Sequence, residues 1–279
     1  MQIRSLEQKA CLIRRHVIHM LGVGKTGHIG GSLSSADLIA ALYFQVLNVD
    51  PANPKRRDRD RFILSKGHAA LVQYAALAER GFFPLEELSH IKRLGSILQG
   101  HPDCRTTPGV EANTGSLGQG LSIANGMALA ARLQGGTHKI WVLLGDGELD
   151  EGQVWEAAMF TAYRKLDNVI AILDRNGLQA MGPTALRLNT EPLAAKWSAF
   201  GWRVFEIDGH DMAQVVATLE AARAHSGSPA MVIARTVKGK GVSFAENNPA
   251  FHNAMMTEVQ FTTALAEIDA VQARIREEA

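Results

Sequence analysis

Four carboxylates crowd six residues, 146–151, just past a strand-like run. In "IWVLLGDGELDEG", Asp146, Glu148, Asp150 and Glu151 come directly after Ile140 to Leu144. Such a cluster has three chemistries open to it: holding a metal ion, acting as general acid and base, or forming the solvated first turn of a helix. The glycines of Gly145-Asp146-Gly147 allow a sharp backbone turn and the close approach of a phosphate. A second apolar run, "NVIAILD", ends at Asp174-Arg175-Asn176-Gly177-Leu178. If one helix joins the two runs as parallel neighbours, Asp146 and Asn176 sit at adjacent strand ends. A carboxylate, an amide oxygen and a backbone carbonyl, completed by two phosphate oxygens and a water, make an octahedral oxygen site suited to Mg²⁺.

Four histidines stand in loop-like stretches: "TGHIGGSLS" (His28), "LSKGHAALVQY" (His68), "GHPDCRTTPGVEANTGSLGQG" (His101) and "ENNPAFHNAM" (His252). Taken singly, each reads as an ordinary surface or core histidine. Taken together, they lie near Gly or Pro at predicted helix and strand ends, where an α/β scaffold builds its sites. Imidazole can donate or accept a proton near neutral pH.

The elements that must carry these residues alternate along the chain. The pattern predicts helices over RSLEQKACLIRRHVIHMLG, SSADLIAALYFQVL (Ser34 or Ser35 as cap, Asp37 in the first turn), HAALVQYAALAERG, PLEELSHIKRL, LSIANGMALAARLQ, EGQVWEAAMFTAYRKL, EPLAAKWSAFG, MAQVVATLEAARAH and the tail from Glu258. Strands are predicted over RFILS, HKIWVLLGDG, NVIAILDRNG, WRVFEIDG and PAMVIARTVKG. Strands spaced by helices imply an α/β fold, a parallel sheet with helices on both faces. Ligands of such sheets bind beyond the carboxyl ends of the strands. The loop SILQGHPDCRTTPGVEANTGSLGQG is too long for a plain connection and reads as functional. Residues 1–279 read as one domain with an N-terminal helical extension.

Lys+Arg and Asp+Glu number 29 and 28, which argues against bulk capture of nucleic acid or of an anionic membrane surface. Two cysteines in no metal-like spacing, no secretory signal and no long apolar run point to a cytoplasmic protein.

The GDG turn closed by an asparagine resembles the diphosphate-binding motif of thiamine-diphosphate enzymes. With the four histidine stretches in the same order, the chain resembles transketolase from about Arg4 to about Met256. The match covers the first third or so of a full-length transketolase, its diphosphate-binding domain. The resemblance implies the N-terminal subunit of a split enzyme, using thiamine diphosphate and Mg²⁺ (with Ca²⁺ or Mn²⁺ as substitutes) to move a two-carbon ketol unit between sugar phosphates. It implies that Asp146, Asn176 and the Leu178 carbonyl hold the metal. His68 would lie near the diphosphate. Gly115, Leu117, Gly118, Gly145 and Gly147 would line the cofactor. His28, His101 and His252 would face the sugar hydroxyls and the substrate carbonyl. Glu151 matches a glutamate that meets the partner chain, and Glu148 and Asp150 are then left as solvated first-turn residues. The family often has Pro where this chain has Ile29 and Ser116, and "FHN" replaces its usual His-Gly pair at His252.

The glutamate that activates the cofactor, the pyrimidine pocket and the arginines that grip the sugar phosphate belong, in the family, to domains absent from these residues. The resemblance therefore implies a C-terminal partner subunit carrying the pyrimidine-binding and C-terminal domains, in an α2β2 assembly. Val154, Ala157, Ala158, Thr161 and Ala162 form a helical stripe of small residues. The stripe suits either packing on its own sheet or a subunit interface, and the resemblance favours the interface. Deoxyxylulose-phosphate synthase shares GDG but follows its SKGH-like start differently. The 2-oxo acid dehydrogenase α subunits carry an Arg-rich loop that "RTVKGKGVSF" lacks. A non-catalytic binding subunit would need neither the metal pair nor the histidines.

Overall fold

The computed structural model describes residues 2–277. In chain order the helices are α1 (Ile3–Leu21), α2 (Ile29–Ser34), α3 (Ala36–Ala41), α4 (Ala70–Arg80), α5 (Gly120–Leu133), α6 (Gly152–Tyr163), α7 (Leu193–Ala199), α8 (Met212–Ala224) and α9 (Glu258–Glu277). The strands are β1 (Arg61–Leu64), β2 (Ile140–Gly145), β3 (Val169–Arg175), β4 (Leu178–Gln179), β5 (Gly182–Pro183), β6 (Arg203–Asp208) and β7 (Ala230–Arg235). Five of them form a parallel sheet in the order β1-β2-β3-β7-β6, and β4 and β5 pair as a small antiparallel ladder.

The sheet's period-two pattern separates two cores. Trp141 and Leu143 of β2, Ile170 and Ile172 of β3, and Val232 and Ala234 of β7 face a layer that includes α1, α3, α4, α8 and α9. Val142 and Leu144, Ala171 and Leu173, and Met231 and Ile233 face α5, α6 and α7. Both faces are buried, so these strands read as nearly continuous apolar runs, as central parallel strands must. The register that aligns Gly145 with Asp174 and Asp174 with Ala234 brings the ends of β2, β3 and β7 to one level.

Two predicted helices form differently. SSADLIAALYFQVL is broken at Ser35, between the end of α2 and the start of α3, and its last turn, Leu42–Val46, is a π-helix. Neither Ser34 nor Ser35 caps it: each hydroxyl lies within hydrogen-bond reach of the Gly31 carbonyl and of Asp174 instead. PLEELSHIKRL yields only a 3₁₀ stretch, Leu85–His90, in which Leu88 alone is buried. Without an apolar face to pack, an α-helix there has little tertiary support. Among the described residues no helix is long and apolar enough to cross a membrane.

Candidate active site

A cavity of about 430 Å³ opens beyond the strand ends, and every predicted site residue lines it except Gly118 and Glu151. Its upper wall holds the four histidines. His28 precedes α2, His68 sits in the 3₁₀ turn Gly67–Ala69 that leads into α4, His101 lies in the long loop, and His252 follows the 3₁₀ turn Pro249–Phe251. Their rings are near neighbours: His28 lies 5.0 Å from His68, 5.4 Å from His252 and 6.4 Å from His101, centroid to centroid. Gly27 and Ala254 exchange backbone hydrogen bonds at 3.1 Å, which ties the His28 segment to the His252 segment. The Tyr74 hydroxyl donates to the His101 carbonyl at 2.9 Å and anchors that loop to α4.

Three of these rings are held neutral at physiological pH. Burial, then the charges of His101, Lys92 and Lys238, holds His28 down to about 4. Burial, then Lys238, His28 and Lys66, holds His252 at about 4. Burial and Lys66 take His68 to about 2. Among the described residues no ring nitrogen of the four histidines has a side-chain or backbone hydrogen bond, and His252 Nδ1 is buried without a partner.

The floor is built at the ends of β2 and β3. Asp146 is buried, and its two oxygens accept from Gly147 N–H at 2.8 Å and Gly177 N–H at 2.5 Å. Burial, reinforced by the Asp174 charge, raises its pKa to about 6 against those hydrogen bonds and Lys238. Asn176 is held from both sides: its Nδ2 donates to Asp174 at 3.3 Å and its Oδ1 accepts from Leu178 N–H at 3.1 Å. The Leu178 carbonyl accepts from the Lys238 ammonium at 2.8 Å. Burial lowers Lys238 to about 8, opposed first by the Asp146 charge. Beneath the floor Asp174 is fully buried and takes hydrogen bonds from Lys66, Ser34 and Thr236. Burial alone would raise its pKa, but the Lys66 ammonium beside it holds it below the usual carboxylate range.

The carboxylate cluster divides differently from its sequence reading. Glu148 is not a solvated first-turn residue: it is 2% exposed and lines the cavity. Its carboxylate accepts from Ser65 Oγ, from Gly118 N–H at 2.9 Å and from Gly145 N–H at 3.0 Å, joining the ends of β1 and β2 to the loop before α5. Asp150 is half-buried and accepts from Gln179 Nε2. Glu151 is exposed, and its stem lies so close to Gly118 that a Cβ there would stand 2.8 Å from Glu151 Cβ, at a φ of +79°. Gly118 therefore serves a close approach and a left-handed turn at once. Gly145 and Gly147 do not belong to the left-handed set, so the GDG turn does not depend on positive φ; a Cβ on Gly147 would instead meet Gln179 Cγ at 2.8 Å.

The small-residue stripe of α6 faces inward rather than to an interface. Val154, Ala157, Ala158 and Thr161 are buried. Asn125 Nδ2 reaches the Ala157 carbonyl at 3.0 Å, Thr161 Oγ1 reaches Asn125 at 2.7 Å, and Trp202 Nε1 reaches the Ala158 carbonyl at 3.0 Å. Small side chains leave those carbonyls accessible. The opposite side of α6 exposes Met159, Phe160 and Tyr163.

Residues 6–268 match the family described as transketolase, thiamine diphosphate binding domain. The chain belongs to the transketolase family. It is 46% identical over 265 residues to the 6-deoxy-6-sulfo-D-fructose transketolase subunit SqwG of a Clostridium species, covering 95% of this chain and 96% of that one. It is also 46% identical to an apulose-4-phosphate transketolase subunit of Actinobacillus succinogenes, over 95% and 96% of the two chains. Among solved structures it matches transketolase from Campylobacter jejuni with a TM-score of 0.90 and 33% identity, over 99% of this chain and 46% of that one. The chain thus spans about half the length of that solved transketolase and nearly all of the two subunits.

Within this thiamine-diphosphate-binding domain the cavity also takes in residues not singled out in the sequence. Lys66, Lys238, Gln179, Ala180 and Gly31 line it. A basic residue just past a strand end, as Lys238 is past β7, is a usable signal in a parallel sheet. Gln179 and Ala180 follow from Leu178 only once the β4–β5 ladder is known.

Proposed function

We propose that this chain is the diphosphate-binding subunit of a two-chain transketolase, and that with a partner chain it moves a two-carbon ketol unit from a ketose to an aldose, both bearing a distal phosphate or a comparable anion. One observation carries the reading: four histidines with uncommitted ring nitrogens face the Asp146, Asn176 and Leu178 oxygens across one cavity. The names of the two similar subunits, each a transketolase of an anionic sugar, support it.

The residues fit the cofactor and a divalent ion. No cluster of three or more His, Cys, Asp or Glu side chains among the described residues could hold a metal. A hard cation here would therefore take one carboxylate, one amide oxygen and one carbonyl, and leave positions open for diphosphate oxygens, a set that suits Mg²⁺. The Lys238 ammonium already rests on one of those oxygens, so the floor attracts positive charge. Asp146, Asn176 and the Leu178 carbonyl would hold the metal; His68, Gly115, Leu117, Gly118, Gly145 and Gly147 would line the cofactor. Thiamine diphosphate, when bound, supplies the nucleophilic carbon of the reaction. His28, His101 and His252 orient the sugar hydroxyls and the carbonyl oxygen and hold or pass protons at those oxygens. Imidazole nitrogens can donate or accept, which suits both directions of transfer. Glu151, exposed beside Gly118, meets the partner, which contributes the activating glutamate.

The test is reconstitution. The purified chain should show no ketol transfer alone and gain it when the partner chain is added with thiamine diphosphate and Mg²⁺. Robust transfer by the chain alone would overturn the split assignment. Calorimetric titration of the assembled enzyme should show Mg²⁺-dependent cofactor binding that Asp146→Ala and Asn176→Ala abolish; unchanged affinity would remove the metal assignment.

A further inference from the structure

A second cavity of about 370 Å³ lies against Thr26, two residues before His28, floored by Met20, Leu21 and Ile91 and rimmed by Lys25, Lys92 and Arg93. We propose that these three cations form a subsite for the distal oxyanion of the substrate, a phosphate or sulfonate, so that this chain shares in anion recognition with its partner. The inference rests on the functional reading above and adds a substrate contact to it.

The cations are placed to reach the same ligand as the histidines. The Lys92 ammonium donates to the Thr26 carbonyl at 2.8 Å, two residues before His28. Its stem passes the Gly100 position, where a Cβ would lie 3.6 Å from Lys92 Cε, directly before His101. Lys92 N–H donates to the Leu98 carbonyl at 2.8 Å and its φ is +60°, a left-handed conformation uncommon for lysine, so the backbone aims this side chain toward the histidine loops. Its charge is also one of those that keep His28 neutral. Lys25 and Arg93 are exposed, and among the described residues neither side chain has a hydrogen bond or an ion pair, nor does Lys92 meet a carboxylate. Three like charges around one hollow repel each other until an anion joins them. An oxyanion with three terminal oxygens matches an arginine fork and two ammoniums. A ketose whose carbonyl end lies among His28, His101 and His252 would extend its far end along the Thr26 to His28 segment toward them.

The experiment uses the assembled enzyme and compares three donors: a ketose phosphate, a sulfonated ketose and the neutral ketose. In Lys25→Gln/Arg93→Gln and in Lys92→Gln, whose glutamine can still donate to Thr26, kcat/KM for an anionic donor relative to the neutral one should fall about tenfold, mostly through KM. A fall confined to one anionic donor supports the site and identifies which oxyanion it takes. An unchanged ratio, or equal losses on charged and neutral donors, overturns the proposal. If the assembled enzyme transfers from no ketose, the functional reading fails and sulfate titration decides the site. A saturable shift of the Arg93 Nε–H resonance that Lys92→Gln abolishes supports it; no saturable shift overturns it.

Discussion

The floor and the upper wall of the cavity are built on opposite terms. At the floor nearly every polar atom is committed. Asp174 accepts from Lys66, Ser34, Ser35, Thr236 and Asn176, and Glu148 joins three chain segments. The four histidines of the wall are held by their backbones and keep their ring nitrogens free. His210 shows what a structural histidine looks like: its Nδ1 meets Asp37 of α3 at 2.7 Å and its Nε2 accepts from Val237 N–H at 2.8 Å. Among the histidines, the one that holds the fold spends its ring nitrogens on the protein, whereas the four that face the cavity leave theirs open.

The largest effect that tests this contrast is at the floor. Asp174→Asn leaves the buried Lys66 ammonium without its counter-charge and should cost about 3–5 kcal/mol, read as a lower urea midpoint. A loss below about 1 kcal/mol would mean that the floor is not a structural network. Next come the histidines: His252→Gln and His28→Gln should each lower kcat of the assembled enzyme by about 10²-fold with little change in thermal midpoint. His210→Gln should do the reverse, and matching profiles would dissolve the distinction. Glu148→Gln keeps the shape but can no longer accept from all three donors; it should cost about 1–3 kcal/mol and weaken cofactor binding more than a surface Glu→Gln control. If binding is untouched, the three joined segments do not need Glu148 for their positions.

The last effect is in pH. His28, His68 and His252 have folded-state values lowered from 6.5 to about 4, 2 and 4. The stability that follows from keeping them neutral is complete above 6.5 and is lost as pH falls through the window toward 4, because the unfolded chain binds protons first. Asp146 and Glu148, whose values are raised, oppose this over part of the same range. Three histidines outweigh two carboxylates, so the denaturation midpoint should fall from pH 7 to pH 5. His28→Gln/His252→Gln should flatten that slope, and an unaltered slope would mean these rings do not drive it.

Much of the site was legible in the residues. GDG and Asn176 stand at neighbouring strand ends because β2 and β3 are read by their apolar runs and joined by one helix. The four histidine stretches carry Gly and Pro that mark loops. Glu148 was not legible. Next to Asp150 and Glu151, Glu148 looks like one more acid in a first turn, and only the approach of Ser65 and Gly118 from distant segments makes it a buried acceptor. The α6 stripe misled in the same way: small residues permit close approach, but which neighbour approaches is a tertiary fact, here α5 and Trp202.

The sequence by itself determined the alternation of strands and helices, the order of the motifs and the residue types able to hold a diphosphate and pass protons, because periodicity and turn chemistry are local. Only the tertiary structure decided which of four adjacent carboxylates is buried, which histidines keep their nitrogens free, and where the unpaired cations gather. Burial, hydrogen-bond partners and electric field come from atoms far apart in the chain, and no local pattern encodes them.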